Sequence, residues 1–337
     1  MQNSPGFFMQ PLSANCFLGK DEIMPEQGQS IHETSREFSR MERNEKIAGV
    51  LLKIAGLVAV AAVAAITVYL VGSGLPALIK IGPLKMLFGT VWQPTAADPK
   101  FGIAYVILTS IIGTALAILI GVPIGLFTAI FLAEIAPPRV ASIIHPAVDL
   151  LAGIPSVVYG LLGLVILNPL MYKWELALFR NDPTHQFTGG ANMLSAILVL
   201  AIMILPTVIS VSETSIHEVP DDLRSGSLAL GATKMQTIFR VVLPTAKSGI
   251  LTAVVLGVGR AIGEAMAITL VSGSSVNFPL PFHSVRFLTT AIVSEMGYAS
   301  GLHRQALFTI GMVLFAFIMV INSILLHIGR SKREDRG

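Results

Sequence analysis

Apolar runs about 20 residues long recur along this chain, near Ile47 to Val71, Gly102 to Glu134, Ile143 to Met171, Met193 to Thr214, Ser248 to Ser272 and Ala306 to Ile328. That is the length an α-helix needs to cross a bilayer. The expected fold is all-α: a polytopic membrane protein with six transmembrane helices over residues 45–329. Composition agrees, because 13% of the residues are charged against about 25% in soluble domains. Residues 1–44 are polar without periodicity and read as a disordered cytoplasmic tail, and residues 330–337 as a basic cytoplasmic tail. Cys16 is the only cysteine, which excludes an intrachain disulfide.

Six crossings put both termini on one side. Lys20, Arg36, Arg40, Arg43, Lys46, Lys53, Arg139, Arg224, Lys234, Arg240, Lys247 and the C-terminal basic residues fall on that side. Lys80, Lys85, Lys100, Lys173, Arg180, Arg286 and Arg304 fall on the other. The richer side is expected to be cytoplasmic. On the opposite side, Phe88 and Trp92 suit a membrane interface.

Between the fourth and fifth runs lies Glu218 to Pro244, EVPDDLRSGSLALGATKMQTIFRVVLP. Pro220 suits a first helical turn, and Asp221 and Asp222 complement the positive end of a helix dipole. Gly231 can take the left-handed conformation that ends this helix. Thr233 and Gln236 have capping-box spacing, so a second helix starts there. Pro244 is expected to stop it. The reading is a compact helix–glycine–helix knob on the cytoplasmic side.

The fifth run carries ionisable residues. Arg260 is twelve positions past Ser248, about 18 Å along a helix and so near mid-membrane. Such a charge costs at least about 2.5–3.5 kcal/mol on insertion scales, so it is expected to line a wet or protein-filled cavity, either neutralised by Glu264 or serving as a post for a passing anion. Its planar fork of donors matches a tetrahedral oxyanion. Glu264, four positions on, is expected on the same face, holding Arg260 when no anion is present. Gly259 and Gly263 allow a close helix. Ser272 and Ser274 offer donors at the outer mouth, with Gly273 and Ser275 beside them. Glu134 and Asp149 read as capping or gate-side contacts.

The seven histidines show no metal spacing, and no phosphate-cradling Gly-x-x-x-x-Gly-Lys-Ser/Thr occurs. No cofactor is expected. If ATP drives this protein, another subunit hydrolyses it.

The LALGAT core (Leu228, Ala229, Leu230, Gly231, Ala232, Thr233), followed by Gln236-Thr237-Ile238 and Leu243-Pro244, resembles the signature loop of ATP-binding-cassette (ABC) importer permeases. Further matches are LLAGIPSVVYGLLGL from Leu150, GRAIGEAMA around Arg260, and the late QALFTIGMVLF run. With Val91-Trp92-Gln93-Pro94 and Phe101-Gly102, the chain looks like the phosphate-specific permease family, PstC-type. The resemblance covers about residues 50 to 328. It implies a type I importer permease in a bacterial inner membrane, with the knob as the ATPase-coupling element. It also implies a PstA-type second permease subunit, a PstB-type cytoplasmic ATPase dimer, a periplasmic phosphate-binding protein and inorganic phosphate as cargo. Arg260 and Glu264 match the family's mid-membrane pair. The rival readings are a sulfate or molybdate permease, a secondary anion transporter, and a membrane-embedded enzyme, for which no clustered catalytic set is found.

Overall fold

The computed structural model describes residues 26–334, with side chains over 45–324. Among them, six helical segments are long and apolar enough to cross a membrane: Glu45–Ile81, Ala104–Ile135, Ser156–Phe179, Met193–His217, Lys234–Gly263 and Gly301–Ile324. The chain divides into two units, residues 1–65 and 66–337. The described part of the first is helix, the opening of α1 (Glu26–Ile81). The expected N-terminal tail falls on residues 1–25, outside the described residues, and on the first turns of α1. The expected C-terminal tail falls on the end of the last helix and on residues 335–337, also outside them.

In the second unit, α1 continues to Ile81 with Pro76 inside it. The first span therefore outlasts its expected end at Val71. After α2 (Pro83–Phe88) comes a small hairpin, β1 (Trp92–Gln93) against β2 (Lys100–Phe101), with Trp92 opposite Phe101. The second span is α3 (Ala104–Ile130), extended by a π turn at Phe131–Ile135.

The third span corrects the sequence reading. Residues 143–171 are not one helix. A separate helix, α4 (Pro138–Gly153), ends where Ile154 turns extended, with φ −69° and ψ 127°. Pro155 is the cause, since its ring disfavours a helical residue before it. The crossing starts only at α5 (Ser156–Leu162) and runs through a π turn at Gly163–Leu167 into α6 (Asn168–Phe179). The Tyr159 hydroxyl donates to the Leu151 carbonyl at 2.6 Å, bracing the break.

The fourth span, α7 (Met193–His217), is the core of the bundle. Ala196, Ile197, Leu200, Met203 and Ile204 are buried against Ala117, Tyr159 and residues of the fifth span. Span two packs on it at glycines. A Cβ on Gly121 would come within 2.9 Å of the Ala201 carbonyl, and one on Gly125 within 2.9 Å of Val208. Backbones approach this closely only where side chains are absent. Around this centre, Leu119, Val165, Leu178 and Val320 are more than half exposed. So much outward apolar surface suits lipid rather than water.

The knob follows as α8 (Asp221–Ala229) and α9 (Lys234–Thr237). Here too one expectation fails. Pro244 does not stop the helix. A π turn at Ile238–Val242 follows α9, closed by the Leu243 amide on the Ile238 carbonyl, and α10 (Leu243–Gly263) runs on with Pro244 in its first turn. The widened turn accommodates the missing proline N–H, so Lys234 to Gly263 is one 30-residue helical segment. The fifth span is then broken at Glu264 and resumes as the short α11 (Met266–Val271). It is not continuous to Ser272.

Last come α12 (Leu288–Glu295) and α13 (Gly301–Glu334). Trp92 is not an interface residue; it is 8% exposed. Its indole N–H donates to the buried Glu295 carboxylate at 3.0 Å, which His303 meets at 2.7 Å and Arg286 also binds. Breaking a buried ion pair typically costs about 3–5 kcal/mol. Glu295→Ala is expected to lose about 3 kcal/mol, read as a lower thermal midpoint of the purified protein. Trp92→Phe is expected to lose about 1 kcal/mol. Equal midpoints for Glu295→Ala and the parent would refute the network's role.

Candidate functional site

Two places carry the residues singled out from the sequence. The first is the knob. The Gly231 amide donates to the Leu228 carbonyl at 2.9 Å and that of Ala232 to Ser227 at 3.2 Å, the paired bonds of a Schellman cap, with Gly231 at φ +84°. Thr233 and Gln236 form the expected reciprocal box. The Gln236 amide donates to the Thr233 hydroxyl at 3.3 Å, and the Thr233 amide to Gln236 Oε1 at 2.9 Å. The knob's inner side is anchored by Ile238 and Val242, which pack with Ile130 and Ile216 at the ends of spans two and four, with Val219 just beyond, and with Ala246 of α10. Its outer side is unusually apolar: Leu228, Met235 and Phe239 are about half exposed, and Leu230 is 91% exposed.

The second place is Arg260, in the last turn of α10. It is half-buried, and its Nη1 lies 3.5 Å from the Thr207 hydroxyl. Thr207 is near the middle of the Met193–His217 span, about 21 Å from its start at 1.5 Å per residue. This contact sets Arg260 level with the middle of the fourth span. Among the described residues, no carboxylate forms an ion pair with Arg260.

Glu264 does not hold Arg260. The helix ends between them, and Glu264 is extended, with φ −72° and ψ 130°. Four-residue spacing brings side chains together only while the helix continues. Instead, Glu264 Oε1 accepts from the Ala267 amide at 3.0 Å and caps α11, while its carbonyl accepts from the Thr289 hydroxyl at 2.7 Å. Gly259 and Gly263 face open space, with no atom within 4 Å of an added Cβ. Ser272 is fully buried, and its carbonyl accepts from the Val285 amide at 2.8 Å. Ser274, at φ 106°, accepts from Arg286 Nε at 2.8 Å and lines an outer cleft with Trp92 and Gln93. Asp149 is exposed on α4, whereas Glu134 pairs with Arg224 at 3.1 Å. Thr207 was missed from the sequence; its one signal was a hydroxyl after Pro206 inside an apolar run.

One helical segment, Lys234–Gly263, thus joins the knob to Arg260. The family model for the binding-protein-dependent transport system inner membrane component matches residues 121–334. The chain belongs to this family. Within the family, the probable ABC transporter permease YqgH of Bacillus subtilis is 40% identical over 274 residues, 79% of this chain and 85% of that protein. The phosphate transport system permease PstC of Pasteurella multocida is 35% identical, over 75% of this chain and 82% of that protein. A bacterial alginate ABC transporter, solved with an alginate-pentasaccharide-bound periplasmic protein, shares the fold. It aligns with a TM-score of 0.53 at 17% identity over 76% of this chain and 92% of that one. As a member of this family, the chain is a multi-pass transport permease component, and its fold is that of ABC importer permeases.

Proposed function

We propose that this chain is the PstC-type permease subunit of an ATP-driven phosphate importer in a bacterial inner membrane. The observation that carries the reading is the single helical segment Lys234–Gly263, which begins inside the capped knob and ends one turn beyond Arg260. The knob's exposed Leu230 and its apolar neighbours suit docking in a groove of a PstB-type ATPase dimer. The excess of Lys and Arg on the knob side supports placing it, with both termini, in the cytoplasm. Phosphate arrives from a periplasmic binding protein and passes Arg260 at an interface with a PstA-type subunit, which the open face at Gly259 and Gly263 suits. The similarity to PstC supports phosphate as the cargo. Ser274, which lines the cleft with Trp92 and Gln93, suits the mouth of the path, whereas the fully buried Ser272 does not reach it.

The test is uptake of labelled phosphate by the purified complex in proteoliposomes. Uptake is expected to require ATP and the binding protein and to resist competition by sulfate and molybdate. Uptake without nucleotide would make the protein a secondary transporter, and preference for sulfate would replace the cargo.

A further inference from the structure

The knob holds the membrane spans by a second route besides the covalent one. None of the residues of α8 is buried, so packing alone fixes it weakly. Its Ser227 hydroxyl meets the Thr237 hydroxyl at 2.9 Å, which joins the two knob helices to each other. What joins α8 to the bundle is Arg224. Its Nε and Nη2 both reach Glu134 Oε1, at 3.2 and 3.1 Å. Nη2 also donates to the Ile216 carbonyl at 2.8 Å, and Nη1 donates to the Val219 carbonyl and, at 3.1 Å, to Asp221. All of its N–H-bearing atoms are engaged, with the side chain 19% exposed and that of Glu134 10%.

The partners belong to different elements. Glu134 sits in the π turn that ends span two, and Ile216 is in the last turn of span four. The Ile216 carbonyl, which accepts from the Val219 amide at 3.3 Å, takes Arg224 as a further and shorter donor. One planar, permanently charged side chain therefore bridges α8, span two and the end of span four. Lysine has one point charge and cannot hold that fork geometry.

We propose that Arg224 is the positioning residue that makes spans two and four follow the knob, in step with the helix that carries Arg260. The inference rests on the reading of the knob as the ATPase-docking element. Without Arg224, α8 can pivot on its covalent neighbours while the two spans lag behind.

The experiment uses the assembled transporter. Arg224→Ala is expected to leave ATP hydrolysis in place and lower phosphate moved per ATP about tenfold, inside the ordinary range of coupling between sites. Arg224→Lys and Glu134→Gln, both milder, are expected to fall between it and the parent. Arg224→Ala with Glu134→Ala is expected to be no worse than Arg224→Ala alone, because the two residues act as one link. A parent-like phosphate-to-ATP ratio in Arg224→Ala, or additive losses in the double variant, would overturn the proposal. A second readout does not depend on cargo: spin labels at the exposed Ser142 and Ser225, in a Cys16→Ser background. Their distance is expected to stay narrow through the nucleotide cycle and to broaden in Arg224→Ala; an unchanged distribution would overturn the strut. If the parent complex moves no phosphate yet the distance broadens in Arg224→Ala, the strut stands and the cargo assignment falls.

Discussion

Arg260→Ala is expected to abolish phosphate uptake by the assembled complex. The side chain stands at mid-depth beside Thr207, without an ion-pair partner among the described residues. A charge left unpaired at that depth is costly, so it persists where a ligand or water meets it. Two charge-assisted hydrogen bonds to an oxyanion, at about 1.5–3 kcal/mol each, make the expected loss roughly 100-fold or more. Arg260→Lys keeps the charge but not the fork and is expected to retain a small part of the activity. Assembly with the ATPase is expected to be unchanged, because the knob is built from other residues. Normal uptake by Arg260→Ala would remove the anion post. A variant that fails to assemble is separated from one that fails to transport by copurification of the ATPase.

Gly231→Val is expected to separate ATP hydrolysis from uptake. Gly231 holds φ +84° inside the Schellman cap, and an added Cβ meets no atom within 4 Å in this chain. The penalty is therefore conformational, about 1–2 kcal/mol for an ordinary L-residue and larger for a β-branched one. Relief of that strain redirects α9 relative to α8 and to the exposed Leu230 at the end of α8. Asparagine tolerates positive φ, so Gly231→Asn is expected to transport far better than Gly231→Val. The measurement is phosphate moved per ATP hydrolysed in proteoliposomes. Equal ratios for Gly231→Val and the parent would show that the knob is not the coupling element. Equal failure of both variants would place the constraint in the docking groove rather than in the backbone.

The knob was legible because its signals are local. Gly231 and the Thr233–Gln236 pair act within a few residues, and each does what its chemistry dictates. Span cores were legible from length. Their ends were not, because proline has two opposite readings. Pro155 breaks the chain between α4 and α5, while Pro244 rides in the first turn of α10 behind a π turn. Four-residue spacing also failed to announce the break that separates Glu264 from Arg260. The pairs that lock the fold lie far apart in sequence: Glu134 and Arg224 are separated by 90 positions, Trp92 and Glu295 by 203. No periodicity links such residues, and charge alone did not choose between partners.

The interruption at Glu264 and Ala265 severs the hydrogen-bond ladder of one span just beyond its cationic residue. A severed rod does not carry torque. When the inner piece tilts, the outer piece, which starts beyond a joint held at the Glu264 carbonyl by Thr289, is under no obligation to turn with it. In the proposed importer, the two pieces of this span are then expected to move one after the other rather than together.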